Sequence, residues 1–199
     1  MYKYLSEMNF TPKTVLDIGA WNGFWTKQCK KIWPDAEFTC IEAGPKYEKK
    51  LKQVTSNYHI AVLGNENKQA KIYLRKIQKG NRHKVTYTKG SSIFNNIAKD
   101  WEMREMKTLD QLVGKDAQFD IIKQDVQGAE ILVMQGASEI FKRAKYVIQE
   151  VNIEKDDDFP DIPYEKLMDE YMESLGFNKN KQIDKHPGQL QIDKIYWTG

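Results

Sequence analysis

With 199 residues, 40% of them hydrophobic and 30% charged, the chain has the make-up of a water-soluble globular protein, and residues 1–199 are expected to form one domain with a substantial core. A net charge of +3 is too mild for a nucleic-acid footprint, and no apolar run approaches the roughly 20 residues that span a bilayer. The opening MYKYLSEMNF lacks the apolar centre of a secretion signal, so a cytoplasmic location is expected.

TVLDIG, residues 14–19, is a β-rich apolar run that ends in an acid. FWTKQCKKIW after it has apolar residues at helical spacing, at Phe24, Cys29, Ile32 and Trp33. Pro34 and Asp35 end that helix, and EFTCIEA is a second strand. PKYEKKLKQV opens with Pro45 at a first helical position and reads as a second helix, and YHIAVLG reads as a third strand. The first half therefore runs β-α-β-α-β, the pattern of a parallel sheet with helices on both faces.

The middle of the chain breaks that rhythm. QAKIYLRKI alternates as a strand does, and KVTYT is expected to pair with it, which makes a small β insertion rather than a separate domain. GSSIFNN, a polar helix-like stretch and MKTLDQLVG follow. FDIIKQD as a strand, GAEILVMQGASEIF as a helix and KYVIQEV as a strand then restore the alternation. EKDDDFPDIP is an acidic loop, YEKLMDEYMESLG an amphipathic helix closed by Gly176, and LQIDKIYWT a final strand. Cys29 and Cys40 form neither a disulfide framework nor a Cys-x-x-Cys metal pattern; both are expected to be reduced and in or near the core, and no metal is expected.

In such a sheet, ligands bind beyond the carboxyl ends of the strands, where the strand order reverses. The first strand ends at Asp17-Ile18-Gly19. Gly19 permits a tight turn and close backbone approach, and Gly23 allows the next helix to pack against the strand. A dinucleotide fingerprint reads Gly-x-Gly-x-x-Gly, whereas here an acid takes the first place and Gly19 and Gly23 are too far apart. A carboxylate there repels a pyrophosphate and suits hydroxyl, ammonium or sulfonium groups. Glu42 ends the second strand, where an acid accepts both hydroxyls of a ribose. This arrangement is the one expected for S-adenosylmethionine; the plainer reading has both acids capping turns.

The run FDIIKQDVQGAEILVMQGA adds a family resemblance. It is similar to the FkbM-type S-adenosylmethionine-dependent methyltransferases, whose fourth strand typically runs Lys-Ile-Asp-Val-Glu-Gly-Ala-Glu ahead of a helix ending in Gly-Ala. Lys123, Asp125, Val126, Gly128, Ala129 and Glu130 match, and Gly136-Ala137 follow. Asp17, Gly19 and Ala20 match the first turn, and Glu42, Ala61-Val62, Gly90-Ser91-Ser92 and Thr108-Leu109-Asp110 match in order. Gln124 replaces an apolar residue, Gln127 replaces the glutamate, and Trp21 stands where a smaller polar residue is common.

The resemblance implies a Rossmann-like class I methyltransferase fold, α/β, with a mostly parallel seven-stranded sheet, an antiparallel last strand and the small β insertion. It implies a cofactor site for S-adenosylmethionine at Asp17, Gly19, Ala20, Trp21, Gly23, Glu42, Ala43, Ala61, Ser91, Ser92 and Asp125. It implies methyl transfer to a hydroxyl of a sugar, glycan or other small molecule, with Asp125, Lys123 and Glu130 as the catalytic candidates. Each has a plainer role: Lys123 and Asp125 as an ion pair, and Glu130 as a complement to its helix dipole. Glu150, closing the neighbouring strand, is expected at the same mouth or as a strand-end acceptor, and His59, His83 and His186 are weaker candidates for the base. No nucleic-acid or membrane partner is expected. A nucleic-acid or protein methyltransferase is the nearest enzymatic alternative, although the chain has no Pro-Pro for an amino-methylating motif and no proline beside either cysteine. The non-enzymatic alternative is a cofactor-binding protein that has lost transfer, for which Gln127 is the support.

Overall fold

The computed structural model describes residues 1–74, 76–78, 85–87, 100–154, 164–185 and 191–199. In chain order the first elements are α1 (Tyr2–Glu7), β1 (Thr14–Ile18), α2 (Phe24–Ile32) and β2 (Glu37–Glu42). A 3-10 turn at Pro45–Tyr47 runs into α3 (Glu48–Leu51), followed by β3 (Tyr58–Ile60) and β4 (Val62–Leu63). Next come β5 (Lys68–Leu74), β6 (Lys76–Gln78), β7 (Val85–Tyr87), β8 (Asp100–Lys107) and α4 (Leu109–Val113). The rest are β9 (Ile121–Gln124), α5 (Glu130–Gln135), α6 (Ser138–Arg143), β10 (Tyr146–Asn152), α7 (Glu165–Ser174), β11 (Lys179–Lys185) and β12 (Gln191–Trp197).

Among the described residues, seven strands form the main sheet in the order β11-β12-β10-β9-β1-β2-β3. From β10 to β3 every pairing is parallel, while β12 runs antiparallel to both β10 and β11. Strand alternation sorts the core into two layers. Leu16, Ile18, Ile122 and Val147 face Leu109, Val133, Phe141 and Met168 of the helices on one side. Val15, Ile121 and Ile148 face Leu5, Trp25, Cys29 and Trp33 on the other. The central strands read as apolar on both sides because helices cover both faces. Asp17 and Lys123 interrupt the second layer side by side, as register partners of β1 and β9. Successive strands lie to either side of β1, so the chain reverses its direction of build at the carboxyl ends of β1 and β9. That is where a doubly wound sheet opens a crevice.

Farther along the sheet, buried Lys194 of β12 holds α7 in place. Its Nζ lies 2.7 Å from Asp169 Oδ1 and 2.9 Å from Glu165 Oε1, and Tyr196 Oη donates to Asp169 at 2.7 Å.

The insertion is present: β8 pairs with β4 in parallel and with β5 antiparallel, and β6 pairs with β7, so KVTYT and the second half of QAKIYLRKI do meet. Several expectations need correction. YHIAVLG is two short strands rather than one: β3 stays in the main sheet, while β4 leaves it after Ala61 to begin the insertion. The polar helix-like stretch is strand β8 over Asp100–Lys107; helix-favouring Glu, Met and Arg yield to a seven-residue pairing with β5. GAEILVMQGASEIF breaks into α5 and α6 at Ala137, whose backbone leaves the helical region at φ −158° and ψ 41°, and the preceding Gly136 stands where a Cβ would sit 2.3 Å from the Gly64 carbonyl oxygen. Phe24 points outward, 53% exposed, and Trp25 takes its place in the core. β11 was not expected at all: its residues are almost all exposed, so they carry no apolar alternation.

Candidate active site

The turn after β1 is bound to both neighbouring strands. The amides of Gly19 and Ala20 donate to the Ile41 carbonyl of β2 at 2.9 and 3.0 Å, and the Asp125 amide beyond β9 donates to the Ile18 carbonyl at 3.0 Å. Gly19 has φ +76°, and a Cβ there would lie 1.8 Å from the Asp125 carbonyl oxygen. Glycine is therefore required by the backbone that follows β9. Gly23, at φ +74°, precedes α2 and packs against Val54 rather than against the strand.

Glu42 at the end of β2 organises the next corner. Its Oε2 accepts the Trp21 amide at 2.7 Å and its Oε1 accepts the Gly44 amide at 2.7 Å. The first bond holds Trp21 at φ +50°, a region a bulky residue occupies only when its surroundings impose it. The Trp21 ring meets the Tyr47 ring edge-on, with centroids 6.1 Å apart. Burial pushes the Glu42 carboxyl up, against the two amides that favour its charge. The insertion reaches this corner too: Arg104 of β8 donates to the Ala43 carbonyl at 3.1 Å.

Lys123 lies beneath the mouth, 7% exposed. Its Nζ is 3.4 Å from Asp17 Oδ1, 3.4 Å from the Gly19 carbonyl and 3.5 Å from Asp125 Oδ2. Burial works against its charge, but Asp125 and Asp17 outweigh it and hold the ammonium protonated. Asp17 is fully buried, and its Oδ2 accepts the Thr26 hydroxyl of α2 at 2.7 Å. Burial pushes its carboxyl up while Lys123 and Thr26 oppose that. Asp125 is 32% exposed at the side chain; burial raises its carboxyl, but Lys123 and hydrogen bonds from Gln127 and Glu150 outweigh this and hold it below the ordinary value.

The segment after Asp125 is tightly formed. Glu130 turns its Oε1 back onto the amides of Val126 at 3.0 Å and Gly128 at 3.3 Å, and burial pushes its carboxyl up to about 7. Gln127, at φ +58°, donates one amide nitrogen to Asp125 Oδ1 at 2.7 Å and to Glu150 Oε2 at 3.0 Å. Gln124 donates to the Glu130 carbonyl at 2.9 Å and accepts from Gln149 of β10 at 3.3 Å.

The residues singled out in the sequence thus fall into two groups. Asp17, Gly19, Lys123 and Asp125 meet in one cluster, while Trp21, Glu42 and Ala43 form a neighbouring corner that Ala61 borders through its amide on the Glu42 carbonyl, 3.0 Å. Ala20 is buried beside Cys40 and Leu51. Glu130, a catalytic candidate, is 4% exposed with its carboxylate spent on backbone amides, which makes it a positioning residue for the loop. Ser91, Ser92, His83 and His186 lie outside the described residues, and His59 sits in β3. Thr26, Arg104 and Gln191, the last with its amide nitrogen 3.4 Å from Glu150 Oε2, were missed: no spacing in the sequence relates them to the site, because the packing of α2 brings Thr26 there and strand pairing the other two.

The sequence model of the Methyltransferase FkbM domain matches residues 17–179. A comparison with curated proteins finds no match. Among solved structures, methyltransferase FkbM from Methylobacillus flagellatus KT is similar with TM-score 0.63 at 12% identity, over 96% of this chain and 45% of that one. The chain therefore spans under half the length of that relative. A SAM-dependent methyltransferase from Aquifex aeolicus gives TM-score 0.51 at 16% identity, over 98% of this chain and 87% of that one. The O-methyltransferase TomG from Streptomyces achromogenes, solved in complex with SAM, gives 0.52 at 14%, over 95% and 74%. At such identities the likeness is one of fold: the Rossmann-like methyltransferase sheet with its antiparallel strand. Together with the match over residues 17–179, which includes every strand end of the crevice, this establishes that the chain belongs to the FkbM methyltransferase domain family.

Proposed function

We propose that the protein binds S-adenosylmethionine across the carboxyl ends of β1, β2 and β9 and uses it to methylate a hydroxyl oxygen of a sugar, glycan or other small molecule. The observation that carries this reading is the presence of two differently prepared acids at the ends of the strands on either side of β1: Glu42, fixed by two amides, and Asp125, held ionised at the mouth. Each Glu42 oxygen accepts one amide and keeps a lone pair for a hydroxyl donor, which fits the two hydroxyls of a ribose. The Trp21 and Tyr47 rings beside it offer apolar surface to a purine. Gly19 and Ala20 keep the turn low, and Asp17 acts from below by holding Lys123.

Bound there, S-adenosylmethionine supplies an electrophilic methyl whose bond to sulfur breaks with the electron pair left on sulfur. Asp125 receives the proton that the acceptor hydroxyl gives up. Lys123 and Gln127 fix the orientation of that carboxylate, and positioning of this kind carries much of the rate in a transfer between two bound partners. Proton acceptance by a placed carboxylate is worth about 10²- to 10⁴-fold.

The test is incubation with methyl-labelled S-adenosylmethionine and a panel of sugars, nucleotide sugars and small alcohols. Label recovered in a methyl ether supports the reading. Label on nitrogen, protein or nucleic acid overturns the O-transfer, and cofactor binding without transfer to any acceptor favours the binder.

A further inference from the structure

We propose that Asp125 and Glu150 work as one carboxylate pair holding a single proton, clamped by the Gln127 amide, with Glu150 the positioning residue that keeps Asp125 charged and aimed. The inference rests on the reading of Asp125 as acceptor of the hydroxyl proton. It starts from one nitrogen. Gln127 Nε2 has two hydrogens, and they go to Asp125 Oδ1 at 2.7 Å and Glu150 Oε2 at 3.0 Å. Two carboxylates gathered onto one nitrogen repel each other when both are charged, which favours keeping one proton between them.

The surroundings decide which one keeps the charge. Lys123 stands 3.5 Å from Asp125 Oδ2 and so places the negative charge on Asp125. Glu150 faces three carboxylates, Asp125 beyond β9, Glu130 of α5 and its own register partner Asp193 on β12, whose combined effect outweighs that of the Lys123 cation. The Gln191 amide nitrogen adds a weak contact at 3.4 Å. Burial first, and then the Asp125 charge, push the Glu150 carboxyl up to about 9. Its proton is given to Asp125 in a hydrogen bond. Asp125 is thus gripped by Lys123 on one oxygen and Gln127 on the other, with Glu150 completing the grip. During transfer the hydroxyl proton goes to Asp125 and later to water, while Glu150 retains its own. A glutamate at position 127 would face this pair with a third acid, whereas glutamine offers two N–H donors and no charge.

The experiment is a carbon-13 NMR titration of the side-chain carboxyls of the free protein from about pH 2 to about pH 10. Expected are a Glu150 midpoint near 9 and an Asp125 signal that stays ionised to below its ordinary value of about 3.9. Removing the partner charge with Asp125→Asn lowers the Glu150 midpoint by about one pH unit or more. If that variant does not fold, Glu150→Gln gives the reciprocal reading: a neutral donor replaces a neutral donor, and the Asp125 midpoint stays put. Titration of Glu150 in the ordinary range of about 4–5, or an Asp125 midpoint that falls in Glu150→Gln, overturns the pair. Where an acceptor supports turnover, kcat falls above about pH 9 as Glu150 ionises, and that limb vanishes in Glu150→Gln; a limb that persists overturns the positioning role. The titration needs neither cofactor nor acceptor, so absent methyl transfer would sink the functional reading while leaving the pair standing.

Discussion

Glu42, Glu130 and Glu150 have the same side chain and differ in what meets them. Glu42 takes two amides and stays open to hydroxyl donors, Glu130 is consumed in closing its own loop, and Glu150 carries a proton beside Asp125. Asp125 is the acid with both charge and access, and its removal should act on the chemical step. Asp125→Asn, the same shape without the charge, is expected to cut turnover by more than about tenfold while S-adenosylmethionine affinity falls far less, because an interaction that strengthens in the transition state is read in kcat. Equal losses in both would move Asp125 from the chemistry into the cofactor pocket. In the sequence, Glu42 stood out as an acid closing an apolar strand, and Asp125 and Lys123 through the family resemblance of the run around them. The sequence could not assign the glutamates. Glu130 against an amide and Glu150 against an acid depend on where the loop after β9 turns, and that turn rests on Gln127 at φ +58°.

At the scale of elements, the crevice is set by how closely β1 and β9 meet. Gly19→Ala puts a methyl into the Asp125 carbonyl at a backbone φ of +76°, and a loss of about 3 kcal/mol in denaturant unfolding, or failure to fold, is the expected result. A loss below about 0.5 kcal/mol would mean that the two strand ends are not in contact. On the far side, Lys194 ties β12 to α7 through Asp169 and Glu165. Lys194→Met leaves those acids facing each other without a cation and should cost about 3 kcal/mol. The parallel strands were legible because coverage on both faces writes apolar runs into β1, β2, β9 and β10. β8 and β11 were not: β8 presents Trp101 and Met103 to solvent and takes its conformation from β5, while β11 is an edge strand whose backbone pairing is with β12.

For the molecule as a whole, the protonated acids tie stability to pH. Glu130 and Glu150 have carboxyls raised by burial, to about 7 and about 9, so the native state keeps protons that the unfolded chain releases above about 4.3. Stability from these groups is complete below that value and is lost as pH rises through their folded values. Urea unfolding is therefore expected to weaken between about pH 5 and pH 8, by on the order of 1 kcal/mol per pH unit, with a smaller slope in Glu150→Gln. Asp120, held low by the Lys13 amide and Lys145 against its burial, works the other way below about pH 4, so these groups together place the optimum near pH 4. A flat profile would contradict the buried proton. The central claim, a nucleoside held by the Glu42 corner beside Asp125, is tested most directly by calorimetric titration of the free protein with S-adenosylmethionine. Saturable binding is predicted, weakened by roughly 1.5–3 kcal/mol in Glu42→Ala, the range for hydrogen bonds to a charged group. No heat of binding at about millimolar cofactor, or an unchanged affinity in Glu42→Ala, would contradict it.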